Sequence, residues 1–177
     1  MSYYKHIKKK QQSPNTVNFV FDLDLDFANS ASYSGSGANV IDLSGNDNDA
    51  TINGGTFLNE NGGCLSLNGS SDYIEIPNSS SLTPGTSNFT ILIWAKYMGT
   101  GLNSTSDYDA LFSKGIYSPH DEFMFLYRGG AMNGMYFRCR DPQKNQDIYA
   151  TNDETDIIED NQFHLISIVV EKGEVGN

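Results

Sequence analysis

The stretch Phe89-Thr-Ile-Leu-Ile-Trp-Ala-Lys-Tyr97 constrains what this chain can fold into more than any other. It is rich in β-branched and aromatic residues, which fit a pleated, half-buried surface better than a helix. Phe89, Ile91, Ile93 and Ala95 share one face of an extended backbone, and Thr90, Leu92, Trp94 and Lys96 share the other. Apolar residues occur on both faces, so the spacing predicts a strand with neighbours on either side.

The same short period recurs along the chain. Over residues 17–27, Phe19, Phe21, Leu23, Leu25 and Phe27 alternate with Asp22, Asp24 and Asp26, which predicts a half-buried strand. Cys64–Asn68 and Tyr73–Pro77 flank Gly69-Ser-Ser-Asp72 and read as a hairpin. Ala110–Ser113, Glu122–Tyr127, Gly134–Cys139 and Phe163–Glu171 read as further strands, with Gly129-Gly130 joining two of them. Turn formers fill the gaps: a small, Gly-rich loop over 28–39, a dense Asx turn over Asp42–Asp49, and an acidic loop over Asp153–Asp160. No segment of helical length shows a 3.6-residue period. The expected fold is all-β, an antiparallel β-sandwich or barrel. A chain of 177 residues suggests one domain, here 17–177, preceded by a basic arm over 1–16.

Composition narrows the partners. The formal net charge is -11, which repels phosphate backbones and argues against nucleic acid. No apolar run is long enough to span a bilayer, so membrane insertion is not expected. The basic start, Met1 to Lys10, is followed by polar Gln11–Asn15 rather than an apolar core, so it does not read as a secretory signal. Cys64 and Cys139 lie far apart in strand-like runs and are expected to be buried free thiols.

Five segments, in order, resemble the laminin-G-like, concanavalin A-like jelly-roll family. They are Asp42-Leu-Ser-Gly-Asn-Asp-Asn-Asp49, the stretch Gly63–Pro77, Phe89–Lys96, Leu111-Phe-Ser-Lys-Gly115 and Asn161–Ile168. The resemblance covers about residues 20–173. The lead-in Leu23–Gly37 is similar to that of such domains in bacteriophage and other viral structural proteins. The resemblance implies a jelly-roll sandwich. The family's closing C-terminal strands have no counterpart after residue 171, so the sandwich is expected to be incomplete, as a fragment or one completed by a neighbour.

The turn at Asp42–Asp49 gathers oxygen donors: Asp42, Asn46, Asp47, Asn48 and Asp49. Calcium takes six to eight oxygens, so a structural calcium ion is the candidate cofactor, with Asp26 or Asp72 as further ligands. The spacing is not that of an EF-hand, and an Asx turn bonded to its own backbone is the alternative. For glycan binding, aromatics in loops could stack on sugar faces: Tyr33, Tyr108, Tyr117 and Tyr149, with His120 nearby. Glucanases on this fold carry paired carboxylates on one strand, and no such strand occurs here. Nor do His6, His120 and His164 build a triad. The chain therefore reads as non-catalytic. The expected role is a virion structural or surface protein of a capsid, tail or fibre. It would be made in a host cytosol and act through contacts with other virion subunits or by self-assembly, with adhesion to a cell-surface glycan. The alternative is a carbohydrate-binding accessory module of a larger secreted enzyme.

Overall fold

A computed structural model describes residues 20–85, 87–98, 108–115, 123–129, 134–141, 146–152 and 160–171. The basic arm, residues 17–19 and the acidic stretch 153–159 lie outside the described residues. The strands in chain order are β1 (Asn39–Val40), β2 (Ala50–Asn53), β3 (Thr56–Leu58), β4 (Cys64–Ser66), β5 (Tyr73–Glu75), β6 (Phe89–Lys96), β7 (Tyr108–Gly115), β8 (Phe123–Gly129), β9 (Gly134–Asp141), β10 (Gln146–Asn152) and β11 (Phe163–Val170). A single-turn 3-10 element, Glu60–Gly62, is the one helical feature among the described residues. The protein is essentially all-β, with antiparallel pairing in β1–β2–β5, in β3–β4 and throughout β7–β10.

The chain divides into two compact units, Met1–Ala95 with His164–Asn177, and Lys96–Phe163. In the first, β1, β2 and β5 form one sheet and β3 pairs with β4. Val40 lies opposite Ala50, and Ile52 opposite Ile74, so these rows face inward together. They meet Phe27, Tyr33, Leu65 and Leu67, with Phe57 and Ile76 packed alongside. Full burial of a ring such as Phe27 contributes roughly 1.5–3 kcal/mol. Gly63 permits this packing. Its φ is 136°, and a Cβ there would collide with the Phe27 carbonyl oxygen, so a side chain would push the core ring out of place.

The second unit is a four-stranded meander in the order β10-β9-β8-β7. A register shift between Ala110 and Phe112 leaves an extra residue in β7, the local signature of a bulge. Phe137 and Cys139 alternate along β9 and are both buried. Lys96 sits with its ammonium 5.4 Å from the Phe163 ring centroid, close enough for a cation–π contact. Both cysteines are free and buried, as expected.

Two sequence expectations are corrected. Residues 20–27 do not form a strand. The amides of Asp24 and Asp26 donate to side-chain oxygens, Asp42 Oδ1 at 2.9 Å and Ser32 Oγ at 3.1 Å, so no regular ladder forms there. Asp26 is consequently buried rather than part of an exposed acidic row. Second, β4 and β5 do not make a hairpin with each other. β4 pairs with β3 and β5 with β2. Among the described residues β6 pairs with β11. Four strands, β1, β2, β3 and β10, have no counterpart among the strands expected from the sequence.

Candidate functional site

The Asp42–Asp49 turn is held by its own hydrogen bonds. Oδ1 of Asp42 accepts from the Asp24 and Ser44 amides, each at 2.9 Å. Oδ2 accepts from the Ser44 hydroxyl at 2.7 Å and the Asn48 amide at 3.1 Å. The Asp42 amide in turn donates to Asp49 Oδ1 at 2.9 Å. Gly45, at φ 87°, and Asp47, at φ 57°, supply the left-handed steps that bring these donors round. Burial pushes the Asp42 carboxyl up. The Ser44 hydroxyl and the Ser44, Asp24 and Asn48 amides outweigh it and hold the group below its ordinary value of 3.8.

Beyond closing the turn, these side chains clasp two other segments. Asn46 Nδ2 donates to the Phe21 carbonyl at 3.2 Å, and Asn48 Nδ2 donates to the Asp22 carbonyl at 2.8 Å. Asn48 Oδ1 accepts from the Ser79 hydroxyl at 2.6 Å and lies 3.3 Å from that of Ser81. The turn thus ties residues 21–24 and 79–81 to β2.

This arrangement does not fit calcium. Both oxygens of Asp42 and the amide oxygen of Asn48 already face N–H or O–H donors, and a cation at those positions would meet the donors' positive ends. Of the five expected side chains that leaves Asn46, Asp47 and the second oxygen of Asp49, and a six- to eight-oxygen shell would have to draw its other ligands from carbonyls and waters. No group of three or more His, Cys, Asp or Glu side chains is drawn together as a metal site among the described residues. Asp26 Oδ1 accepts from the Ala28 amide. Asp72 closes a separate loop, where its Oδ2 accepts from the Asn68 amide at 3.0 Å. Asn68 Oδ1 there accepts from the amides of Ser70, Ser71 and Asp72. That wide Asx loop explains why the flanking strands find other partners instead of a tight hairpin.

Of the aromatic residues expected to bind sugar, Tyr33, Tyr108 and Tyr149 lie among the described residues. Tyr33 is 6% exposed, packs on Phe27 and Phe57 at 5.3 and 5.5 Å between ring centroids, and donates its hydroxyl to the Gly37 carbonyl. It is a core ring, because its loop folds inward over β3, and its stacking face is unavailable to a ligand. Tyr108 opens strand β7, opposite Gly129, and Tyr149 lies within β10, opposite Arg138, so neither is a loop residue. Tyr117 and His120 lie outside the described residues.

The sequence reading passed over the outward ring of Tyr73, which is 52% exposed on β5. Strict alternation was the available signal: Ile74 and Ile76 face the core, which turns Tyr73 and Glu75 outward. A second surface is apolar. Leu92 on β6 and Leu165 and Val169 on β11 are exposed at alternating positions of paired strands.

No known protein family, curated protein or solved structure matches this chain. The laminin-G-like resemblance rests on its sequence motifs.

Proposed function

We propose that this chain is a non-catalytic assembly and binding module, a structural or surface component of a virion built on a jelly-roll sandwich. The observation that carries the reading is the exposed apolar face formed by Leu92, Leu165 and Val169 on the β6–β11 pair. Apolar side chains grouped on a sheet face gain free energy when a partner covers them. The viral lead-in resemblance at Leu23–Gly37 supports the setting, and like subunits are the partners that this face is assigned. The non-catalytic part is supported by how the carboxylates are used: Asp42, Asp49 and Asp72 accept backbone amides and close loops.

Sedimentation velocity across a concentration series tests the reading. The wild-type chain is expected to self-associate, and the double substitution Leu165→Lys, Val169→Lys is expected to keep its fold and stay monomeric. A wild-type chain that remains monomeric throughout, or a variant that associates equally well, contradicts it.

The accessory-module reading retains one observation in its favour, the outward ring of Tyr73.

A further inference from the structure

Four Asn-Gly pairs occur in the chain: Asn53-Gly54, Asn61-Gly62, Asn68-Gly69 and Asn133-Gly134. An asparagine before glycine is chemically labile, because the glycine nitrogen has no neighbouring Cβ to shield it from the side-chain amide. Attack requires the asparagine to turn its ψ and χ1 until Cγ faces that nitrogen, so the fold decides which pair reacts. Asn133 lies outside the described residues; the other three belong to the first unit and stand in different settings. Asn68 is pinned. Its Oδ1 accepts from the amides of Ser70, Ser71 and Asp72 at 2.8, 2.9 and 3.1 Å. Its Nδ2 donates to Ser71 Oγ and Asp72 Oδ1, each at 3.0 Å. Asn53 sits in β2 opposite Tyr73, and the strand pairing keeps its backbone extended. Asp72 Oδ1 also crowds Gly54, where it fills the space that a Cβ would take. A carboxylate there disfavours the amide anion that makes the attack. Asn61 lies in neither setting. It is exposed in the turn between β3 and β4, and Gly62 after it is exposed too. Its φ of 54° is left-handed, which costs a residue with a Cβ, so turning toward the reactive conformer releases that cost.

We propose that Asn61-Gly62 is a self-modification site, where the chain deamidates and its backbone isomerises without an enzyme. The Gly62 nitrogen gives its proton to hydroxide and bonds to Asn61 Cγ. The Cγ–Nδ2 bond breaks, and the amide nitrogen takes a proton from water and leaves as ammonia. A five-membered succinimide remains. Water then opens the ring at one of its two carbonyls. Breaking the new N–Cγ bond leaves aspartate; breaking the original peptide bond leaves isoaspartate, with the main chain running through the side chain. Either product adds a negative charge to a chain that already carries -11. Isoaspartate also adds one carbon to the backbone, and the fold has little room for it. Two residues on, Gly63 approaches the Phe27 carbonyl so closely that no Cβ fits, and Cys64 and Leu65 after it are buried. A longer turn displaces that approach and loosens the core around Phe27.

The site stands apart from the assembly reading, because it uses no residue of β6 or β11. The test is incubation of the full 177-residue chain in mildly alkaline buffer, once folded and once in urea. Peptide mapping by mass spectrometry then follows conversion at each asparagine and separates aspartate from isoaspartate. In the folded chain Asn61 is expected to convert at least about tenfold faster than Asn68, the scale of the hydrogen bonds that Asn68 must break. It should also outpace Asn53. In urea the three should convert at similar rates, since the sequence is the same and the restraints are gone. Folded protein in which Asn53 or Asn68 converts as fast as Asn61 overturns the proposal. So does an Asn61 that stays intact over the time in which the unfolded chain converts. Asn61→Asp carries the charge without the extra backbone carbon, and it should melt close to wild type. Aged protein enriched in isoaspartate at 61 should melt several degrees lower. An aged form that melts with Asn61→Asp would contradict the loosening of the core.

Discussion

Four donors converge on the two carboxylate oxygens of Asp42, and the pH behaviour of the fold follows from that. The folded carboxyl titrates below its unfolded value. Its contribution is therefore complete above the unfolded value and is lost as pH falls through the lower, folded one. Asp42→Ala leaves buried amides without their acceptor, and hydrogen bonds to a charged group carry about 1.5–3 kcal/mol each before relaxation. Urea unfolding at neutral pH should show a loss of about 3 kcal/mol. The gap between variant and wild type should narrow in acid, where the wild-type carboxyl is also protonated. A gap unchanged from neutral pH to strong acid would contradict this account of the turn. Tyr33 teaches a related lesson at the same scale. In sequence it is one tyrosine in a Gly-rich loop, and nothing local distinguishes a packing ring from a binding one. What decides is the hydroxyl bond to Gly37 and the neighbours Phe27 and Phe57.

Among the elements, the strands with uninterrupted alternation were the legible ones. β6, β7, β8, β9 and β11 each carry several apolar or aromatic residues, and a period of two suffices to find them. β10, Gln146-Asp-Ile-Tyr-Ala-Thr-Asn152, is mostly polar and becomes a strand through its seven-residue register with β9. Residues 20–27 show the opposite failure. Their alternation is regular, yet Asp42 and Ser32 side chains take the amides that a strand would offer its neighbour. Period alone cannot reveal that competition. Partner choice was equally hidden, since the loop closed by Asn68 and Asp72 lets β4 and β5 diverge to β3 and β2. The approach of Gly63 to Phe27 is a constraint of this kind. Gly63→Ala combines a left-handed backbone with a clash against a carbonyl and should cost about 2–4 kcal/mol. Thermal unfolding checks this, and a melting temperature within error of wild type would refute the tight approach.

For the whole molecule, chemistry and assembly separate. The turn that looked like an ion site is a clasp, so calcium should not act as a structural cofactor there. Melting temperatures with excess calcium and with chelator should coincide, whereas a rise of several degrees with calcium would show that the turn opens to ligate it. The all-β class was legible from composition and alternation, because turn formers and β-branched runs leave no room for helices. The surfaces were less legible: exposure of Leu92, Leu165, Val169 and Tyr73 depends on which side of each strand the core claims. The central claim is that the β6–β11 face is where this molecule builds onto its own kind. Hydrogen exchange at β6 and β11, measured well below and well above the concentration of self-association, tests it most directly. The account predicts slower exchange in these two strands on association, with β1, β2 and β5 unchanged. Association that leaves β6 and β11 exchanging as before would contradict it.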